Sequence, residues 1–384
     1  MSYMTDERRM IQQTAREFAM KEVLPVANEL DPVEGSIPAS IRNKLAELGY
    51  YGMLISQEDG GLGMGVFEYA LVTEELARAW MSVASIIARG NGLGGGFSPE
   101  QRKEYLPRMA RGEFLGAFAL SEPEAGSDAA NLSCRAERDG NEWVINGSKM
   151  WCTFADEADF ILLFARTQPP SDPKRRHLGI SRFLILKERG KLPPGLNGSP
   201  IRKIGYFGWK TWELHFEDFR LPASALLGEE GQAFYRAMGG LNVARVHTAA
   251  RAIGLARGAL EDSIKYAHQR VQFGRPIGKF QVIRFKLAEM ATEIEAARQL
   301  MYFVATETDA KRRCEKESSM VKLFASEMAE RVTSEAIQIH GGYGYTKDFA
   351  VERYWRDARL TKIFEGTSEI QKRIISDRLL DDLK

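Results

Sequence analysis

The sequence predicts a multidomain α+β protein: an N-terminal all-α domain over residues 1–115, a middle antiparallel β domain over 116–225 and a C-terminal four-helix bundle over 226–384. Three observations carry that division. Apolar residues recur at three-to-four spacing through the first zone, short runs alternate with period two through the second, and long helical periodicity returns after Gly231. At 384 residues the chain is too long for one ordinary core, which suits several packed units.

In the first zone, TDERRMIQQTAREFAMKEVLPVANEL reads as a helix behind a Thr-Asp start, and IPASIRNKLAELGYYGM repeats the pattern. Gly-rich EDGGLGMG (58–65) interrupts it. Its spacing is not GxGxxG and no βαβ unit surrounds it, so it reads as a turn between helices rather than a nucleotide loop. VFEYALVTEELARAW resumes the helix, and SPEQRKEYLPRMARGE opens another at a Ser-Pro-Glu cap. The second zone holds FLGAFAL, CRAERDGNEWVING with Asp139-Gly140 as a hairpin turn, DFILLFART, SRFLILKE and TWELHFEDF. In the last run Trp212, Leu214 and Phe216 alternate with Glu213, His215 and Glu217, so one sheet face is covered and the other is free. The basic loop QPPSDPKRRH (168–177) reads as solvated. The third zone has three long helical segments, the first from FYRAMGGLNVAR onward, and a last helix after Glu365.

Composition narrows the function. Fifty-three basic and 52 acidic residues leave a net charge of +1, which gives no broad attraction to nucleic acid or a membrane surface. The start, MSYMTDERRM, is charged where a signal peptide is apolar, and no run of about 18 apolar residues offers a membrane span. A cytoplasmic protein is the simplest expectation. Cys134, Cys152 and Cys314 show no CxxC spacing, and His177, His215, His247, His268 and His340 form no ligand pattern, so no metal is expected.

Five stretches carry chemistry: FALSEPEAGSD (118–128), SKMWCT (148–153), RVQFGRPIGKFQ (270–281), QIHGGYGY (338–345) and FEGTSEIQ (364–371). Ala125 and Gly126 let the backbone approach a flat ligand, and Ser121 and Ser127 can donate to its oxygens. Trp151 can cover an aromatic ring system. Arg270 offers a planar fork suited to a pyrophosphate, although a cation there can also simply cap a helix C-terminus. Glu365 sits between an apolar Ile-Phe pair and a Gly-Thr-Ser turn, where lost solvent raises a carboxylate's basicity.

In these motifs and their order the chain resembles the acyl-CoA dehydrogenase family over almost its whole length. The resemblance implies FAD as cofactor and an acyl-CoA thioester as substrate. Phe118, Leu120 and Ser121 would border the flavin ring, Gly126 and Ser127 would adjoin it, and Ser127 would also meet the pantetheine arm. Trp151 would cover one flavin face and Thr153 would reach N5. Arg270, Phe273 and Gln281 would hold the pyrophosphate and adenosine half. Gln338 and Gly342 would reach the same cofactor from a different subunit, which implies a homotetramer, and Thr367 and Glu369 would turn toward the cofactor.

The resemblance places the catalytic base at Glu365, which would take the α-proton while the β-hydrogen leaves as hydride, giving a trans-2-enoyl-CoA. Its backbone N–H and the flavin ribityl chain would stabilise the enolate, with Gly366 leaving room at the thioester. Burial beside Phe364 is expected to raise the Glu365 pKa. Some family members carry the base on the first bundle helix, but the matching residue here is Ala244. Arg245 matches an arginine that lines the substrate site and supports the glutamate's surroundings, and Asn242 stands where relatives often have an acid touching CoA. Arg89 matches the floor of the acyl pocket; facing inward it would pair with a distal polar group, and facing outward it would be solvated. Electrons would pass to an electron-transferring flavoprotein, in the manner of fatty-acid β-oxidation. Two alternatives are a flavin oxidase or monooxygenase of the same fold acting on a non-CoA substrate, and a non-catalytic FAD-binding assembly partner.

Overall fold

The computed structural model describes residues 3–170, 172, 175–234 and 240–381. Helix α1 (Asp6–Phe18) starts at Thr5, whose side chain accepts a hydrogen bond from the Arg8 N–H at 3.2 Å. The helix predicted to run unbroken from there is divided. A π-helical turn, Ala19–Val23, joins α1 to α2 (Leu24–Leu30). Pro25 lacks an N–H and its ring would press on the carbonyl four residues back, so the wider turn absorbs the misfit. Then follow α3 (Ala39–Glu47), α4 (Val66–Ala79), α5 (Met81–Ile86), α6 (Ala88–Asn91) and α7 (Pro99–Ala110). Ser98 and Gln101 cap α7 reciprocally, and residues 58–65 are turns.

Helix α4 is buried along its length except at Glu68, with Glu74, Glu75 and Arg78 among the buried residues. Those charges are matched from the C-terminal helices: Glu75 accepts from Arg257 at 2.7 Å, Glu74 from Arg298 at 3.0 Å, and Arg78 donates to Glu261 at 2.8 Å. Without partners, buried charges would be prohibitive. At Gly254 a Cβ would lie 2.4 Å from the Glu74 carbonyl oxygen, so only glycine lets the two helices approach this closely.

The middle zone forms one seven-stranded sheet from β1 (Gly116–Ala119), β2 (Arg135–Asp139), β3 (Glu142–Thr153), β4 (Phe160–Arg166), β5 (Ile180–Leu186), β6 (Leu196–Pro200) and β7 (Thr211–Pro222). It is antiparallel except where β1, and at one residue β2, run parallel to β4. The Asp139–Glu142 hairpin turns through Gly140 at φ 58°, as the sequence predicts. Strand β6 was not predicted, because Gly195, Gly198 and Pro200 suppress a strand signal. Residues 171, 173 and 174 of the basic loop lie outside the described residues; within the loop, Arg176 pairs with Asp128 at 3.1 Å.

The C-terminal zone comprises α8 (Leu241–Gln269), the short strands β8 (Val271–Gln272) and β9 (Arg275–Pro276), α9 (Gln281–Asp309), α10 (Glu315–His340), α11 (Val351–Thr361) and α12 (Ser368–Asp381). This is one helix more than predicted: α11 is rich in charged residues yet buries Val351, Tyr354, Asp357 and Ala358. Part of the predicted segment before Gly240 falls on residues 235–239, outside the described set. One hydrophobic cluster runs through all three zones, with Leu76, Ile145 and Ile253 among its members. No helix among the described residues is long and apolar enough to cross a membrane.

Candidate active site

Glu365 lies in the turn between α11 and α12 with φ 53°, and Gly366 follows at φ 92°. Left-handed backbone is unfavourable for a residue with a Cβ and persists only where surrounding contacts enforce it. Lys322 Nζ and Gln371 Nε2 both donate to the Gly366 carbonyl, at 2.6 and 3.0 Å. The turn thereby aims the Glu365 carboxylate at α8, where Thr248 Oγ1 donates to one oxygen and Arg251 to the other, the latter at 2.7 Å.

Arg251 is almost wholly buried. It also donates to Ser85 Oγ at 2.9 Å and lies 4.5 Å from the centre of the Phe364 ring. Glu365 itself keeps 32% of its side-chain surface exposed. It is a carboxylate backed by protein on one side and open to water on the other.

The expectation of a raised pKa is corrected here. Burial pushes the Glu365 carboxyl up, but the Arg251 charge and the hydrogen bonds from Thr248 and Arg251 outweigh it, and the net direction is downward. Phe364 does not strip the acid of solvent as supposed; it packs on Arg251 and stands edge-on to Tyr206, with ring centres 6.1 Å apart. The partner of Glu365 is Arg251 rather than Arg245. Arg245 is buried at the start of α8 and donates weakly to Asn242 at 3.4 Å. Asn242 lies against Cys314, and Arg245 reaches the glutamate's turn only through its charge on Lys322. Ala244 contributes its carbonyl oxygen to Thr248.

Arg89 faces inward. Burial pulls its guanidinium below the usual value, opposed in part by Tyr206 and Glu365, and its planar group lies 5.8 Å from the centre of the Trp209 ring. His247, beside Glu365 in the sequence of α8 contacts, is pushed down to about 3 by burial and is therefore neutral at pH 7.

The sheet supplies a second wall. Between Lys149 and Cys152 the pairing of β3 with β7 shifts, and Trp151 takes φ 64°. That irregularity turns the indole outward, leaving it 57% exposed. Thr153 shares a hydrogen bond with Thr211 at 3.0 Å. Phe118 packs on Phe164, and Leu120 lends its carbonyl to Lys149 Nζ at 3.0 Å. Lys149 in turn pairs with Glu122 at 2.7 Å, both side chains nearly inaccessible, and Glu122 also accepts from Ser133 and Cys134. This buried pair ties the SEPEAGSD loop to the MWCT strand. Ser121 accepts from the Met150 N–H at 2.8 Å, while Gly126 and Ser127 stand at the surface.

A separate cleft of about 470 Å³ opens at the other end of α8. Arg270 and Gly342 both line it, with Tyr343 stacked 5.4 Å from the arginine. Their expected origin in different subunits is thereby corrected: one chain brings the two segments together. Phe273, in the β8–β9 hairpin, is 94% exposed at φ 52°. Gln281 and Gln338 are exposed at the start of α9 and near the end of α10. Thr367 accepts from the Ile370 N–H at 3.3 Å to cap α12, and Glu369 is exposed in its first turn.

Thr248, Arg251, Tyr206 and Lys322 escaped the sequence reading. A signal existed for one of them: Arg251 sits within the otherwise apolar run TAARAIGLA, and a charge on a buried helix face requires a partner.

The sheet thus presents the exposed Trp151 indole, and the bundle presents both the Glu365 carboxylate and the cleft at Arg270. The sequence matches the acyl-CoA dehydrogenase N-terminal domain over residues 5–113, its middle domain over 117–219 and its C-terminal domain over 231–380. It is 42% identical to an acyl-CoA dehydrogenase of Bacillus subtilis, covering 98% of this chain and 99% of that one. It is 43% identical to the acryloyl-CoA reductase (NADH) of Anaerotignum propionicum, covering 98% and 95%. Among solved structures, butyryl-CoA dehydrogenase from Megasphaera elsdenii superposes with a TM-score of 0.90 at 36% identity, covering 98% of this chain and 99% of that one. The chain belongs to the acyl-CoA dehydrogenase family, whose members are FAD-dependent oxidoreductases.

The residues present fit that cofactor. Cβ atoms built at Gly126 and Gly342 meet no heavy atom within 4 Å, so both positions border open space. The outward indole of Trp151 and the guanidinium of Arg270 supply a stacking surface and a pyrophosphate donor.

Proposed function

We propose that this chain removes the α and β hydrogens of an acyl-CoA thioester, with Glu365 as the base that accepts the α-proton. Its carboxylate, ionised at neutral pH, held by a left-handed turn and still open to water, is the observation that carries the reading. The bound flavin supplies the acceptor for the β-hydrogen as hydride. Arg251 and Thr248 hold the carboxylate in its charged form and fix its direction. The Glu365 N–H, which has no backbone acceptor among the described residues, remains free to donate to the thioester oxygen as negative charge builds there. Trp151 and Thr153 would hold the flavin from the sheet side, and an electron-transferring flavoprotein would take its electrons.

Distance supports an assembly of more than one copy. Thr248 and Arg270 lie 22 positions apart on α8, about 33 Å at the helical rise. That exceeds the reach of one FAD, so if its ring lay beside Glu365, Arg270 and Gly342 of a second copy would hold its pyrophosphate. This supports a cofactor site shared by at least two copies, which the expected homotetramer would contain.

Likeness to an acryloyl-CoA reductase favours one second reading, in which the same residues run the reaction backward and Glu365 returns a proton to the α-carbon. Anaerobic titration of the purified flavoprotein with saturated and 2-enoyl-CoA thioesters separates the two directions. Glu365→Gln should keep its flavin and lose about 10²–10⁴-fold in the rate of flavin bleaching. Undiminished bleaching in that variant would remove Glu365 from the chemistry, and rapid peroxide formation in air would favour the oxidase alternative.

A further inference from the structure

The interior around Glu365 holds one carboxylate and three cations, Arg251, Arg89 and Lys322, the last donating to the Gly366 carbonyl. Both Glu365 oxygens are taken, one by Arg251 and the other by Thr248. Arg89 is thus the surplus cation. No acidic side chain lies within ion-pairing distance of it among the described residues, and its Nε is sealed from solvent with no hydrogen-bond acceptor. The Trp209 ring lies against it, and Tyr206 and Glu365 favour its charged form from farther away, but none of these matches a carboxylate paired directly with it. Helices α5 and α6 run nearly continuously, because Ile87 between them keeps helical angles. Ser85, which touches Arg251, and Arg89 therefore share one helix face a single turn apart, about 6 Å along the axis. Arg89 thus stands about one turn beyond the Arg251–Glu365 pair along that face.

We propose that Arg89 recognises an anionic group at the far end of a short acyl chain, so that this enzyme's preferred thioesters are CoA monoesters of dicarboxylic acids. The inference rests on the acyl-CoA reading above. A terminal carboxylate would accept two parallel N–H bonds from Arg89 and supply the counter-charge that it lacks. An unbranched alkyl terminus would leave the guanidinium desolvated and unpaired.

The test needs no turnover. Binding to the holoenzyme is measured calorimetrically with pairs of S-alkyl-CoA thioethers of equal carbon count, one ending in methyl and the other in carboxylate. These analogues lack the carbonyl that acidifies the α-position and stay unreacted. The carboxylate member should bind at least about ten-fold tighter in the wild type. Arg89→Leu should abolish or invert that ratio, and Arg89→Lys should recover part of it, with flavin content and Tm verifying that each variant is folded. Equal binding of the two members by wild type overturns the proposal. So does an equal loss for both in Arg89→Leu, which would assign the arginine to a phosphate of CoA. If no thioester bleaches the flavin while the carboxylate preference stands, the dehydrogenase reading falls and the anion site remains.

Discussion

Arg251 and Glu365 meet at 2.7 Å between α8 and the turn before α12, joining a buried guanidinium to a carboxylate that water still reaches. The pair sets the acid's charge. In Arg251→Gln burial is left without its main opponent and the Glu365 pKa rises. The acid limb of anaerobic flavin reduction should then move to higher pH by about 1–3 units. In the wild type the depressed carboxyl contributes stability above its unfolded value, and this is lost as pH falls through the folded value; the variant should show the opposite sign. An unmoved pH profile would mean that Arg251 does not govern the base.

The Glu122–Lys149 pair is sealed between loop and strand. Lys149→Met leaves an uncompensated buried carboxylate and should cost about 3–5 kcal/mol in guanidinium unfolding, whereas Lys149→Met with Glu122→Gln should cost distinctly less. Burial raises the Glu122 carboxyl, but Lys149 and three donors outweigh it, so its pKa is lowered. Its stabilisation should therefore be present above the unfolded carboxylate value and fade as pH falls through the folded one, a dependence that the double variant lacks.

Trp151 is exposed and adopts a backbone conformation that glycine adopts freely. Trp151→Gly should weaken flavin binding while leaving the Tm of flavin-stripped protein unchanged or higher. Unaltered flavin affinity would show that the indole does not face the ring.

Phe273 presents nearly its whole ring to solvent, which suits a residue covered by a second copy of the chain or its cofactor. Phe273→Asp should shift sedimentation toward smaller species and lower flavin content together. A variant that stays fully assembled and fully yellow would rule out that burial.

Periodicity carried the three-zone order, because amphipathic helices and alternating strands write their burial into spacing. It missed α11, where Arg353, Arg356 and Asp357 obscure the apolar stripe even though Arg353 and Asp357 are buried, and it missed β6, where glycines and proline dilute the pattern. At the site, Glu365 was legible from its neighbours and from resemblance. Its electrostatics were not. Whether a partly buried acid gains or loses basicity depends on which cation faces it, and Arg251 comes from a helix more than a hundred positions earlier. The inward course of Arg89 was likewise undecidable from spacing, since it depends on the loop that carries Trp209.

Helix α8 acts as a ruler. Thr248 and Arg251 near one end meet the acid, and Arg270 closes the other end. Adding or deleting one residue anywhere between them would swing one terminus by about 100° against its opposite and shift it by about 1.5 Å. Chain length along this stretch is therefore frozen, while the basic loop at 168–177 can lengthen or shorten at little cost.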